Sequence, residues 1–470
     1  MDSSKEKDHG KRFRVLMFPW LAHGHISPFL ELAERLASRN FYIYFCSTPI
    51  NLSSIQRHQL IDGGRLSETN SLIELVELNL PTLPNLPPHY HTTKSLPHHL
   101  MPTLKKALDL SSPSFNNLLS TIQPDLLVYD FIQPWAPTQA SQLNIPAIQL
   151  LTTGAAFTSF FGHLFKNNPD TKFPFPSIHL YDHEERKVTE KTSFSDDSED
   201  SERVFQCIGK STDIVLINSV KEVEEKYLEY ASSIFGKEFV PVGPLVQTAS
   251  SSTSYDHEHE VDKFNEWLVN KENSSVVFVS FGTEYYMSKE EIQEIAYGLE
   301  LSEVNFIWVI RFPGDQRETD IGQVLPKGFM ERIGEKGLVV EKWAPQAKIL
   351  ESCKIGGFVS HCGWNSVLES MQYGVPIIAM PMHIDQPINA RFVVEIGLGV
   401  EVKRDGDGKL DRRQMGEVIR KVVMGKEGTE VQRKSKEISQ KMRCKGNDDI
   451  DVLVEKLERL CNKGRMQNVQ

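Results

Sequence analysis

The chain has 470 residues, more than one ordinary core accommodates, so two large domains are expected. It is 40% hydrophobic and 24% charged, with no apolar run near the roughly 18 residues that a bilayer span requires, which speaks against an integral membrane protein. A formal net charge of −11 speaks against binding nucleic acid through a broad positive surface, so any phosphate handled here must be held locally.

The segment Met1 to Arg14 is polar and charged, and Pro19 interrupts the apolar run behind it. A signal peptide is not expected there, and a cytoplasmic protein is. Val15 to Phe18 reads as a first strand. A helix is expected from Pro28 to Arg39, with Ser27 as its cap and Leu30, Ala33, Leu36 and Ala37 as its apolar stripe. Between strand and helix lie two histidines, His23 and His25. Asp125 to Tyr129 is a second strand and ends at Asp130. The polar stretch Asp182 to Glu202 is expected to be a surface loop or a mobile segment.

Pro241-Val242-Gly243-Pro244 and the low-complexity run Thr248 to Glu260 mark a linker. The expected division is an acceptor-side domain over 1–247, a linker over 248–262, a donor-side domain over 263–450, and a closing helix over 451–470 that returns to the first domain. The strand grammar restarts with Val276 to Phe281, then Asn305 to Arg311, Gly337 to Lys342, Gly357 to Ser360 and Pro376 to Met380. The fold class is therefore α/β, two doubly wound Rossmann-like domains facing a cleft. Six scattered cysteines without a C-x-x-C pair suggest neither a disulfide framework nor a zinc cluster.

Open parallel sheets bind ligands outside the carboxyl ends of their strands. Gly356 to Ser366 runs from a strand through a tight turn into a helix, whose unpaired amides favour an anion; His361 and Ser366 add side-chain donors. Trp343-Ala344-Pro345-Gln346 precedes this turn and His383-Ile384-Asp385-Gln386-Pro387 follows it, each after a strand. Trp343 offers a flat ring to a base, Glu369 a carboxylate to ribose hydroxyls, and Asp385 with Gln386 a pair of groups for vicinal sugar hydroxyls. The order is base, ribose, phosphates, sugar.

The 44 residues from Trp343 to Gln386 closely resemble the signature box of plant UDP-dependent glycosyltransferases of family 1, beginning WAPQ, carrying HCGWNS and ending DQ. The likeness extends over essentially the whole chain and implies the GT-B arrangement of two facing domains. It implies that Trp343, beside Ala344, stacks on uracil, that Gln346 contacts base or ribose, and that Glu369 holds the ribose. His361, Asn365, Ser366 and Thr283, around the Gly363 turn, would bind the diphosphate; Trp364, Asp385 and Gln386 would hold the sugar. The closing Gln is associated with glucose, so UDP-glucose is the expected donor, with no cofactor and no metal.

Inverting transfer needs a base for the acceptor proton. His25 follows the first strand and Asp130 ends a neighbouring one, so the two can form a base with its orienting carboxylate. The spacing His-x-x-Pro also resembles the catalytic histidine of the family; His23 is the alternative ring and can line the acceptor pocket. Asp405-Gly406-Asp407, an Asp-x-Asp in a Gly-rich stretch of the carboxyl half, reads as a solvated turn rather than a metal site. A nicotinamide enzyme is disfavoured because Gly397-Leu398-Gly399 follows a helix and lacks a third glycine at the required offset, and an α/β hydrolase because G-x-S-x-G is absent. A noncatalytic sugar-nucleotide binder would keep the carboxyl-terminal block without the His25 and Asp130 pair.

Phe18-Pro19-Trp20, Gln133-Pro134-Trp135 and Thr283 to Glu291 resemble the subgroup that lengthens or branches sugar chains on terpenoid and flavonoid glycosides. Trp20, His23, Gln133, Trp135, Glu284, Tyr285, Tyr286 and His383 are the acceptor-pocket candidates, although Tyr285 and Tyr286 can equally pack the cleft. Met380 stands where many relatives carry Trp. The expected partners are a UDP-sugar and a small glycoside, in the first place a triterpenoid glycoside, or alternatively an aglycone such as a phenolic; the protein is expected to be a monomer.

Overall fold

A strand with apolar side chains on both faces is stable only inside a parallel sheet covered on both sides. In the computed structural model, β1 (Arg14–Phe18) meets that condition: Val15 and Met17 join one apolar cluster, Leu16 and Phe18 the opposite one, and all four are fully buried. The structure describes residues 12–61, 72–168, 170–186, 195–246, 258–282, 285–312, 321–341, 344–445 and 448–467. β1 lies in a parallel sheet with β2 (Tyr42–Ser47), β3 (Ile73–Glu77), β4 (Leu126–Tyr129), β5 (Ala147–Leu151), β6 (Ile214–Ile217) and β7 (Glu238–Pro241), in the order β3-β2-β1-β4-β5-β6-β7. The second sheet is built from β8 (Val276–Ser280), β9 (Asn305–Ile310), β10 (Gly337–Glu341), β11 (Ile355–Ser360), β12 (Ile377–Ala379) and β13 (Gly399–Glu401), in the order β10-β9-β8-β11-β12-β13. In each sheet the winding reverses once, between β1 and β4 and between β8 and β11, and those switch points are where a parallel sheet opens a crevice.

The sheets share one apolar cluster. Leu151, Val215, Ile217 and Tyr227 come from the first domain, and Trp364, Val367, Leu368 and Phe392 from the second. The closing helix Asp448–Gln467 packs Ile450, Leu453, Leu457 and Leu460 onto the same face of the first sheet as the first helix, and Arg465 pairs with Asp125 at 2.8 Å. Among the described residues no helix is long and apolar enough to cross a membrane.

Three local expectations are revised. The first helix is His23–Ala37, not Pro28 to Arg39, so Ala22 rather than Ser27 occupies the cap position and Pro28 lies within the helix. Proline there is tolerated because the carbonyl four residues earlier finds another donor, described below. The polar stretch 182–202 is not a loop throughout: Ser195–Lys210 is a helix that buries Cys207 and Ile208. The segment before it docks on the second domain, where Arg186 donates to the Gly406 carbonyl at 2.9 Å. That carbonyl belongs to the Asp405 turn, whose Oδ1 accepts from the amides of Asp407 and Lys409. Of the expected linker, residues 258–262 belong to the helix Glu258–Val269 and the rest lie outside the described residues.

One ion cluster ties the domains. Arg391, 4% exposed, donates to Glu184 of the first domain at 2.6 Å and to Glu401 at 2.9 Å, with Tyr181 stacked 4.0 Å from the guanidinium. Burial pushes the Glu401 carboxyl up to about 7, against the opposing pull of Arg391. Removing one member of such a cluster strands the other charges, which costs roughly 3–5 kcal/mol. Arg391→Met is therefore expected to lower the thermal unfolding midpoint clearly; an unchanged or higher midpoint in calorimetry would show that the cluster does not stabilise the closed pair of domains.

Candidate functional site

His25 sits in the first turn of the first helix, directly outside the carboxyl end of β1, and Asp130 follows β4, its neighbour in the sheet. Their side chains meet: His25 Nδ1 lies 2.9 Å from Asp130 Oδ2. Asp130 is fully buried and also accepts from the amides of Trp20 at 2.9 Å and Phe131 at 2.7 Å. A carboxylate so placed accepts from Nδ1–H, which leaves the basic lone pair of the imidazole on Nε2. Thr152, immediately after β5, places its Oγ1 3.0 Å from the same Nδ1, and Phe131 stacks on the ring. His23 is exposed at the start of the helix and is not the ring that meets Asp130. Thr152 was missed in the sequence, although the rule that questions residues just past a strand applies to it as well.

On the opposite side, β11 leads through His361 and Cys362 to the helix Trp364–Tyr373. Cys362 adopts φ +64°, which turns the chain sharply enough for the helix to start at once. No side chain caps that helix, so its first amides point into the crevice. The His361 imidazole lies flat between Gly282 and Gly363: a Cβ on either would come within 2.6 and 2.5 Å of Nε2. Burial, with His383 and Arg311 adding to it, lowers His361 to about 3, so it offers a neutral hydrogen-bonding ring at the anion site. Gln346, at the start of the next helix back, donates to Ser366 Oγ at 3.2 Å and to the Glu369 carboxylate, gathering three of the expected donor residues. Ala344 is buried in the apolar cluster with Ile349 and Leu350.

Of the two expected sugar contacts, Gln386 is held by backbone amides and Asp385 by a buried side chain. Gln386 Oε1 accepts from the amides of Met382 at 3.0 Å and His383 at 3.1 Å, which leaves its NH2 group as the donor. Asn389, fully buried and not foreseen, donates to both Asp385 Oδ2 at 2.7 Å and the Cys362 carbonyl at 3.0 Å, and so fixes the carboxylate relative to the phosphate turn.

Trp364 departs from expectation. Its indole N–H donates to the Asn218 carbonyl of the first domain at 2.6 Å, and its ring fills the space that a Cβ on Gly154 would need, so this ring packs the domain interface. What it can give a ligand is its amide. Asn365, the next residue, donates from Nδ2 to the Gly24 carbonyl at 3.0 Å, again across the cleft.

The acceptor candidates divide. Trp135, partly buried, meets Phe18 at a tilt and Phe115 edge-on and donates to Asp109 at 2.9 Å, while the Trp20 ring is 5% exposed within the same apolar cluster, so the aromatic packing of the first domain engages both rings. Gln133 is fully buried with both amide atoms lacking a hydrogen-bond partner. Tyr285 donates to Glu291 at 2.8 Å with its ring beside His383, and Tyr286 meets His98 of the first domain edge-on. Thr283, Glu284 and Trp343 lie outside the described residues.

Two family models match the chain: "UDP-glucoronosyl and UDP-glucosyl transferase" over residues 229–427 and "Glycosyltransferase, N-terminal domain" over residues 11–247. The chain is 47% identical over 452 residues to UDP-glucosyltransferase 29 of Panax ginseng, covering 96% of this chain and 98% of that one. It is 48% identical over 458 residues to a mogroside IIIx synthase of Siraitia grosvenorii, with the same coverage of 96% and 98%. The crystal structure of Glycyrrhiza uralensis UGT73P12 with glycyrrhetinic acid 3-O-monoglucuronide shares the fold at a TM-score of 0.82 and 24% identity, over 97% of each chain.

Burial pushes the Glu369 carboxyl up to about 7, against the Gln346 amide, which pulls it down. The ordinary value of the carboxyl, which it has in the unfolded chain, is 4.5, so the folded form holds the proton more tightly. That contribution to stability is complete below the unfolded value and is lost as pH rises through about 7. The melting temperature of the ligand-free protein is expected to fall from pH 5 to 8 less steeply in Glu369→Gln than in the parent. Identical slopes would assign the titration elsewhere.

Proposed function

This chain belongs to the family of UDP-dependent sugar transferases, and from that premise we propose that it moves glucose from UDP-glucose, with inversion, onto a hydroxyl of a sugar already attached to a terpenoid. The observation that carries the reading is the His25 and Asp130 pair, which stands across a cleft from an uncapped helix start and is joined to it by Asn365. In this reading His25 Nε2 takes the proton of the acceptor hydroxyl as its oxygen bonds to C1 of the glucose. The C1–O bond to UDP breaks on the opposite face, and the electron pair leaves with the diphosphate. Asp130 holds the imidazole tautomer and stabilises the imidazolium. The amides of Trp364, Asn365 and Ser366, with neutral His361, receive the charge growing on the leaving group.

Trp343 and Glu369 take base and ribose, and Asp385 and Gln386 take the glucose hydroxyls. The Gln386 NH2 group, made the donor by the two amides that bond its Oε1, suits a glucose hydroxyl as acceptor. The mogroside IIIx synthase relative supports a sugar-bearing terpenoid as acceptor, and Tyr286 with His98 provides polar rings from both domains beside the cleft. The enzyme works in the cytoplasm as a monomer.

Two measurements test this. His25→Ala is expected to lower turnover by about 10²–10⁴-fold while UDP affinity, read by calorimetry, stays within a few fold, because the nucleotide contacts lie on the other domain. Undiminished turnover would remove His25 as base. With UDP-glucose and a matched panel, monoglucosylated terpenoids are expected to be turned over faster than their aglycones. Equal or faster aglycone turnover would refute the glycoside acceptor and leave direct aglycone glucosylation.

A further inference from the structure

In a helix each carbonyl is met by the N–H four residues further on. For Gly24 that residue is Pro28, which has no N–H and whose ring presses the carbonyl outward. The Gly24 carbonyl is thus an acceptor without its helical donor, one residue before His25. Asn365 Nδ2 donates to it at 3.0 Å from the second domain. The amide cannot be reversed, since a flipped Asn365 would set oxygen against oxygen. Asn365 Oδ1 is buried with no hydrogen-bond partner, so the bond to Gly24 is the contact that orients this side chain.

We propose that Asn365 is a positioning residue for the base: through the Gly24 carbonyl left open by Pro28, it holds the turn that carries His25 against the helix end that receives the leaving group. The proposal rests on the reading of His25 as base given above. Asp130 and Thr152 set the imidazole within its own domain, but neither sets that domain against the donor. Asn365 does, because its backbone belongs to the anion-binding turn and its side chain reaches the catalytic turn. Proton removal and departure of the diphosphate occur in one step on opposite sides of C1, so a displacement on the order of 1 Å between those turns costs about 10²-fold in rate.

The test is a double-mutant cycle of Pro28→Ala and Asn365→Ala, with kcat, KM for UDP-glucose and UDP affinity measured for each protein. Pro28→Ala gives the Gly24 carbonyl a donor from its own helix, and position 28 contributes nothing to the nucleotide side. Pro28→Ala alone is expected to lower kcat by about fivefold or more, with UDP affinity unchanged within about twofold. Asn365→Ala is expected to cost kcat at least about threefold more in the parent than in the Pro28→Ala background, because only in the parent does the carbonyl depend on it. Equal factors in both backgrounds overturn the proposal, as does a Pro28→Ala enzyme with full kcat, and Asn365 is then a diphosphate contact alone. If Asn365→Ala does not fold, the kcat and UDP affinity of Pro28→Ala decide the matter. His25→Ala, run beside the cycle, separates the two readings: full turnover there removes the base assignment, whereas lost turnover with equal factors removes only the role of Asn365.

Discussion

The amides at the start of the helix Trp364–Tyr373 have no acceptors within their own helix, and the architecture is arranged around that short turn. β11 delivers it, the left-handed Cys362 aims it, and Gly282 and Gly363 leave room for the His361 ring beside it. From the same turn, two consecutive side chains cross to backbone carbonyls of the other domain, Trp364 to Asn218 and Asn365 to Gly24. Backbone acceptors are a demanding choice of partner, because they move only if the strand or helix that carries them moves. The anion site and the base are therefore referenced to one another through main chain, and the apolar cluster shared by the two sheets holds that reference dry.

Dryness also shapes the electrostatics. His361 is held neutral, while Glu369 and Glu401 are pushed up to about 7 and Glu224, which accepts from Ser219 and the Ala156 amide, to about 7 as well, in each case mainly by burial. Carboxylates kept from water are strong acceptors once a donor arrives, and costly to leave without one. Arg311, at the end of β9, has its Nε buried without a partner and is lowered by the same desolvation. The ligand-free cleft thus contains groups whose hydrogen-bonding capacity is only partly met by the protein itself.

Much of this was legible in the sequence because parallel strands buried on both faces leave unbroken apolar runs, and because chemistry collects where those runs end. Val15 to Phe18 followed by His25, and Leu126 to Tyr129 followed by Asp130, could be placed side by side from that rule. What escaped was decided by long-range partners. Nothing near Trp364 distinguishes a ring facing sugar from one packed on Gly154, since Gly154 belongs to the other domain. Pro28 read as a helix start because proline usually is one; it is interior here because Asn365 serves the carbonyl that it disables. Trp135 follows a strand as a pocket residue would, yet its ring packs on Phe18 and Phe115 and its N–H is taken by Asp109, none of which is near it in sequence.

The closing helix has a mechanical consequence. The chain passes from the first domain to the second between Val246 and Glu258, and returns between Lys445 and Asp448 to lay Ile450, Leu453, Leu457 and Leu460 on the sheet where it began. Two bodies joined by one strap can swing and twist in any direction; joined by two, they retain chiefly rotation about the line through both crossings. The second domain is thus joined to the first at both of its ends, and the far join is made by side-chain packing on the first sheet as well as by covalent bonds.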